Sequence, residues 1–201
     1  MLLSNPEILR DLAQLLGASD FLWEDFVRLQ YESILPMLDR RTREKPLSHE
    51  SEELEGVIRS YVEQAEDFDE AQRRLNEIKD REIYLIDLDH IVNPKNDFLF
   101  LSDRLTRLAE AVISTAVDLS YRRLEERHGE PTGFAGLPAV FAVMGLGKLG
   151  GAALGYASDI ELLFLYSDKG TTNGEHPIDN AEFFDRCFGT ATRMVETKRE
   201  G

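Results

Sequence analysis

The 201 residues hold 38 Asp and Glu against 23 Lys and Arg, a formal net charge of −15 that repels a phosphate backbone and argues against a nucleic-acid-binding module, since no basic cluster offsets it. With 42% apolar and 9% aromatic residues the chain suits a globular core, in one sizeable domain or two small ones. No run approaches the roughly 18 apolar residues of a membrane span. The lone Cys187 excludes a disulfide framework and suits a reducing cytoplasm, and the N-terminal MLLSNPEILRD lacks the basic and apolar regions of a signal peptide.

The first two-thirds read as helices. Ser4 to Glu7, S-N-P-E, is a capping box with Pro6 in the first turn. Ile8, Leu9, Leu12, Leu15 and Leu16 follow at helical spacing, with Gly17 as a stop. A second helix is expected from Ser19 or Asp20 to about Leu35, bounded by Pro36, and the charged stretch from Asp39 to His49 reads as a connector. A third helix should begin near Ser51 and carry Val57, Ile58, Tyr61 and Val62. From Asp69 to about Leu88, the residues Leu75, Ile78, Ile83 and Ile86 share one side, and the pattern ends before Asn93-Pro94. The clearest helix is predicted to start at Ser102, with an apolar stripe of Leu105, Leu108, Val112, Ile113, Ala116 and Leu119 closed by Gly129. His49, His90, His128 and His176 are too scattered to suggest a metal site.

EPTGFAGLP, Glu130 to Pro138, marks a change of architecture. Ala139 to Met144 reads as a buried strand, the glycine-rich GLGKLGG follows, and Ile160 to Tyr166 reads as a second strand. After a polar loop from Ser167 to Pro177, Asp179 or Asn180 caps a last helix through about Lys198, with Phe183, Phe184, Phe188 and Met194 as apolar contacts. Two strands alone are marginal in water. The expectation is therefore that the rest of the sheet lies on further sequence and that the chain is a fragment.

A strand followed by G-x-G-x-x-G is the fingerprint of a dinucleotide site, but that fold needs a crossover helix of about three turns before the next strand. Only the eight residues from Gly151 to Ser158 stand there, about two turns at most, and Gly155 interrupts them. The P-loop fails as well, because Lys148 is followed by Leu rather than Ser or Thr. A different chemistry is suggested by Ser158-Asp159-Ile160-Glu161. On a strand, Asp159 and Glu161 would share a face about 6–7 Å apart, a pair suited to divalent cations in phosphoryl or nucleotidyl transfer. Without a cation such like charges oppose one another.

This combination of glycine loop, lysine and D-x-E resembles the nucleotidyltransferase superfamily typified by DNA polymerase β. MGLGKLGGAALGYASDIELLFLY, Met144 to Tyr166, more closely resembles the catalytic halves of bifunctional glutamine synthetase adenylyltransferase/adenylyl-removing enzymes. Leu2–Arg28, Arg73–Asp89, Leu101–Ile113 and Ile178–Arg186 are similar to the helical segments around such a half, so the likeness covers most of the chain. The resemblance implies an α+β fold, with an N-terminal helical bundle over residues 1–130 and the start of a polymerase-β-like domain over 131–201, truncated. It implies Mg²⁺-dependent transfer of AMP from ATP to a tyrosine of glutamine synthetase, or its phosphorolytic removal, in the cytoplasm, with a PII-type signalling protein as a further partner. By the same resemblance Asp159 and Glu161 would be the catalytic metal ligands. Gly147, Lys148, Gly150, Gly151 and Ser158 would border the nucleotide.

Two departures stand out. Glu161 replaces the family's usual Asp, and no counterpart of its third carboxylate, carried in a V-D-x-R-L-R-P-type segment, is found. The fragment alone is therefore expected to be inactive. A catalytically inactive regulatory or scaffolding module is the alternative from another class. A nucleotidyltransferase acting on a small molecule or a toxin–antitoxin partner is disfavoured by the long helical lead-in.

Overall fold

A computed structural model of the chain describes Ala13 and residues 48–92, 97–155 and 158–195. The two helices expected before Pro36, and the connector after Asp39 up to residue 47, lie outside the described residues. From residue 48 onward, the described residues begin with three helices: α1, Ser51–Val62, α2, Phe68–Val92, and α3, Phe98–His128. Helix α3 begins four residues before the predicted Ser102, because Asp97 is its cap and accepts a hydrogen bond from the Phe100 amide at 3.0 Å. Its end falls where the sequence places it. Gly129 takes φ +78, and its amide still reaches the Glu125 carbonyl.

The remaining elements are β1, Pro131–Thr132, a 3₁₀ turn at Phe134–Gly136, β2, Phe141–Gly145, α4, Gly147–Gly150, β3, Leu162–Tyr166, β4, Thr171–Thr172, and α5, Asn180–Val195. The described strands thus form two two-stranded sheets rather than the single pair expected. In the small one, β1 pairs antiparallel with β4. Sequence reading passed over it because its four residues sit inside a proline- and glycine-rich connector and a polar loop. Asn180 fastens it to the start of α5, donating from Nδ2 to the carbonyls of Thr132 and Asp168.

The larger pair, β2 and β3, is antiparallel, with Phe141 opposite Tyr166 and Gly145 opposite Leu162. Antiparallel pairing needs no crossover helix, and this disposes of the dinucleotide-binding reading on structural grounds. Phe141, Val143, Leu162 and Phe164 face inward and are half-buried, whereas Ala142, Met144, Leu163 and Leu165 face outward and are exposed.

Helix α5 joins the hairpin to the bundle. Phe183, Phe184 and Cys187 are at most 1% exposed. Phe188 stacks on Phe164 at 4.4 Å between ring centroids, and Phe184 on Tyr166 at 4.9 Å. Tyr121 of α3 closes the cluster, stacking on Phe141 and meeting Phe183 edge-on. Each such ring contributes roughly 2–3 kcal/mol through burial, and well-placed pairs add about 1 kcal/mol. Leu54, Ile58 and Val62 of α1, Leu75 and Ile78 of α2 and Val112, Ala116 and Val117 of α3 continue this same core. The helical segment and the strand-bearing segment are therefore cemented by one apolar cluster.

Candidate active site

The glycines occupy the connection between β2 and β3. Gly145 ends β2, and its carbonyl turns toward Gly150 so closely that a Cβ on Gly150 would lie 2.4 Å from it. Leu149 is buried beneath the turn and fills the space where a side chain on Gly145 would stand. Gly147 starts the single turn of α4 with φ +53, in the left-handed region. These positions need glycine for close approach and for backbone conformation.

The amides of Gly150 and Gly151 donate inside the turn, to Leu146 and Gly147 carbonyls, each at 3.1 Å. They therefore shape the backbone. The amides of Gly147 and Lys148 have no acceptor among the described residues, and the Lys148 side chain is exposed.

Asp159 and Glu161 were expected on the second strand. They are not on it: β3 begins at Leu162. The Glu161 carbonyl still accepts the Leu146 amide at 2.9 Å, extending the β2–β3 ladder by one hydrogen bond before the chain turns away. Its carboxylate Oε2 lies 2.9 Å from the point that a Cβ on Gly147 would occupy. Thus strand alternation is not what places the acidic pair. The structure instead brings Glu161 onto the glycine turn and leaves Asp159 two residues upstream, exposed, on the approach to the strand. Both residues are exposed, so their carboxylate oxygens are open to solvent.

The approach segment is tied elsewhere. Ser158 Oγ accepts the Gly155 amide at 3.0 Å, so this candidate nucleotide contact serves the loop itself. A Cβ added at Gly155 would come into ordinary contact with the Phe98 ring, at 3.5 Å. The preceding carbonyl, of buried Leu154, accepts from Ser102 Oγ at 2.8 Å. Sequence reading missed both anchors on α3. The sequence pattern places Ser102 at the helix start and Phe98 outside the helix.

A cleft of about 660 Å³ opens beside the turn, between α3 and the hairpin, lined by Glu110, Ser114 and Asp118 and by Val143, Gly145 and Leu149. Asp118 is held there by Arg59 of α1 at 3.1 Å.

The donor set of Asp159 and Glu161 is all oxygen and solvent-facing, which suits a hard cation such as Mg²⁺, typically held by one or two carboxylates plus waters and substrate phosphates. Among the described residues no group of three His, Cys, Asp or Glu is placed to hold a metal ion. Any further ligands would have to come from elsewhere. Among the described residues no helix is long and apolar enough to cross a membrane.

The architecture is α+β, and its feature of chemical interest is a carboxylate laid on a glycine turn between antiparallel strands. Residues 9–198 match the family described as glutamate-ammonia ligase adenylyltransferase, and the chain belongs to that family. Among its relatives are proteins named bifunctional glutamine synthetase adenylyltransferase/adenylyl-removing enzyme. That of Idiomarina loihiensis is 33% identical over 98% of this chain, and that of Methylococcus capsulatus 34% identical over 100% of this chain. That of Pseudomonas aeruginosa is 35% identical over 90%. The chain spans about a fifth of these relatives, 21%, 22% and 18% of their lengths respectively.

Proposed function

We propose that this chain supplies the helical lead-in, residues 1–130, and the first part, residues 131–201, of a nucleotidyltransferase domain that adenylylates glutamine synthetase or removes its AMP. The exposed outward face of the hairpin, with Met144, Leu163 and Leu165 each over 40% exposed, supports the covering of that face by other polypeptide. In the forward reaction a tyrosine hydroxyl oxygen of glutamine synthetase attacks the α-phosphorus of ATP. The new O–P bond forms as the α–β bridge breaks, pyrophosphate leaves, and the phenolic proton passes to solvent. In the reverse cycle an oxygen of inorganic phosphate attacks the adenylyl phosphorus, releasing ADP and the free tyrosine. Mg²⁺, when bound, neutralises the phosphates and stabilises the charge that develops on transfer.

This chain's own share is placement. Asp159 and Glu161 hold the cation, with Glu161 braced by the Leu146 amide and lying over Gly147. Gly147, Lys148, Gly150, Gly151 and Ser158 shape the wall on which the nucleotide phosphates lie, and the Lys148 ammonium adds the one positive side chain in that stretch. With a net charge of −15 on the chain, a bound cation would offset the repulsion of a triphosphate. A PII-type protein is the proposed regulator, and the cytoplasm the proposed compartment. The observation that carries the reading is the Glu161 carboxylate on the Gly147 turn in a member of this family.

The test uses the full-length protein with α-labelled Mg·ATP and glutamine synthetase, beside an Asp159→Asn variant. Label on the synthetase that disappears in the variant supports the proposal. Equal labelling by both overturns the assignment of Asp159. If neither labels, phosphorolysis of adenylylated synthetase is measured next, and its absence as well overturns the proposal.

A further inference from the structure

We infer that Ser102 is a positioning residue for the metal-binding pair: from inside α3 its hydroxyl holds the loop that delivers Asp159, a role that rests on the reading of Asp159 and Glu161 just given. A serine within a helix ordinarily bonds the carbonyl one turn back or faces solvent. Ser102 does neither. It is 2% exposed, and it donates to the carbonyl of Leu154, 52 residues further along the chain. Leu154 is itself 4% exposed, so its carbonyl has no ready access to water and needs a protein donor.

From that anchor the path to the carboxylate is short. Gly155 faces Phe98, whose ring an added Cβ would meet at 3.5 Å, its amide is received by Ser158 Oγ, and Asp159 follows Ser158 directly. The platform beneath is fixed. Asp97 caps α3, Arg104 stacks over the Phe100 ring at 5.5 Å, and the Arg104 guanidinium also donates to Ser48 Oγ at 2.5 Å and to the His49 carbonyl.

The two carboxylates are consequently held by different parts of the molecule. Glu161 is set by the β2–β3 ladder, through the Leu146 amide. Asp159 is set by the first turns of α3, through Ser102 and Phe98. Their mutual placement is only as good as the seam between the hairpin and α3, which the Ser102–Leu154 hydrogen bond spans among the described residues. Loss of that bond should loosen Asp159 and leave Glu161 in place, weakening the cation site without dismantling the fold.

The experiment compares the native full-length protein with Ser102→Ala, Phe98→Ala and Asp159→Asn. Mn²⁺ binding without substrates is read by electron paramagnetic resonance, amide exchange is read at Leu154 and Gly155, and AMP transfer is titrated with Mg²⁺. Ser102→Ala should weaken Mn²⁺ binding about tenfold, as supporting groups of metal ligands commonly do, and raise the half-saturating Mg²⁺ in step. Exchange at Gly155 should quicken while that of β2 is unchanged. Phe98 is 55% exposed, so Phe98→Ala folds irrespective of the outcome for Ser102 and should shift Mn²⁺ binding in the same direction by a smaller factor. Native Mn²⁺ affinity in Phe98→Ala, and in Ser102→Ala where it folds, would overturn the inference and leave Ser102 as a packing residue. Native Mn²⁺ affinity in Asp159→Asn is a separate failure, that of the metal-site reading.

Discussion

Gly147→Ala probes the geometry of the glycine turn most directly. Position 147 has φ +53, where an L-residue costs roughly 1–2 kcal/mol. The new Cβ would also stand 2.9 Å from Glu161 Oε2, inside normal contact. That neighbour is the free end of a flexible side chain, so the fold can relieve the clash by swinging the carboxylate aside. The cost to stability should therefore remain near the backbone term, about 1–2 kcal/mol, or several degrees of Tm for a domain of this size. The cost to function should be much larger, because the carboxylate moves by about an ångström, a displacement that can lose on the order of a hundredfold in rate. Gly151→Ala is the matched control. Gly151 has φ −91, and its nearest neighbour, the Gly147 carbonyl, would lie 3.4 Å from the added Cβ. Thermal melts and AMP-transfer rates of the full-length variants separate the two effects. Full activity in Gly147→Ala, with a Mg²⁺ requirement like that of Gly151→Ala, would refute the placement of Glu161 over the turn.

Other perturbations address the frame. Phe184→Ala removes a ring 1% exposed that stacks on Tyr166 and Phe188, and should cost about 3–5 kcal/mol in chemical denaturation. Arg104→Ala leaves Ser48 and the His49 carbonyl without their buried donor, and an expected loss of about 3 kcal/mol would be seen in the same assay. Burial, with a smaller push from Asp118, raises the Cys187 thiol from 9.0 to about 12. The folded protein then keeps a proton that the unfolded chain releases, so this contribution is complete below pH 9.0 and drains away as pH climbs to about 12. The slope is at most about 1.4 kcal/mol per pH unit, and Cys187→Ala should flatten it in urea titrations at fixed pH. In the native protein the same thiol should resist alkylation at pH 8 until denaturant is added.

Much of the scaffold was legible because its signals are periodic. The stripe from Leu105 to Leu119 on α3, and Phe183, Phe184 and Phe188 on α5, announce buried faces at helical spacing, and those faces form the core. Gly129 as a stop was equally plain. The misplacements have local causes. Asp97 outcompetes Ser102 as cap of α3, and an Asp cap five residues upstream looks like loop when Pro94 precedes it. The β1–β4 pair spans only two residues on each side, too short for any alternation to register. The start of β3 was overrun because Ile160 prolongs the apolar pattern, although Ile160 is exposed and the ladder ends with the Leu146–Glu161 hydrogen bond.

The site shows the limit more sharply. Composition and spacing could single out Asp159 and Glu161, but not that they are held by different elements. The glycine string and the acidic residues are near neighbours in the chain, and that proximity invites a purely local account of the pair. The structure requires a non-local one. Glu161 belongs to the hairpin, Leu154, five residues before Asp159, is bonded to Ser102 of α3, and α5 clamps hairpin and helices through one aromatic cluster. A site built across such a seam depends on the lead-in helices for its geometry. On the proposed reading α3 is structural support for the acidic pair: shortening the chain into α3 should disable cation binding even where every glycine and carboxylate of the loop remains.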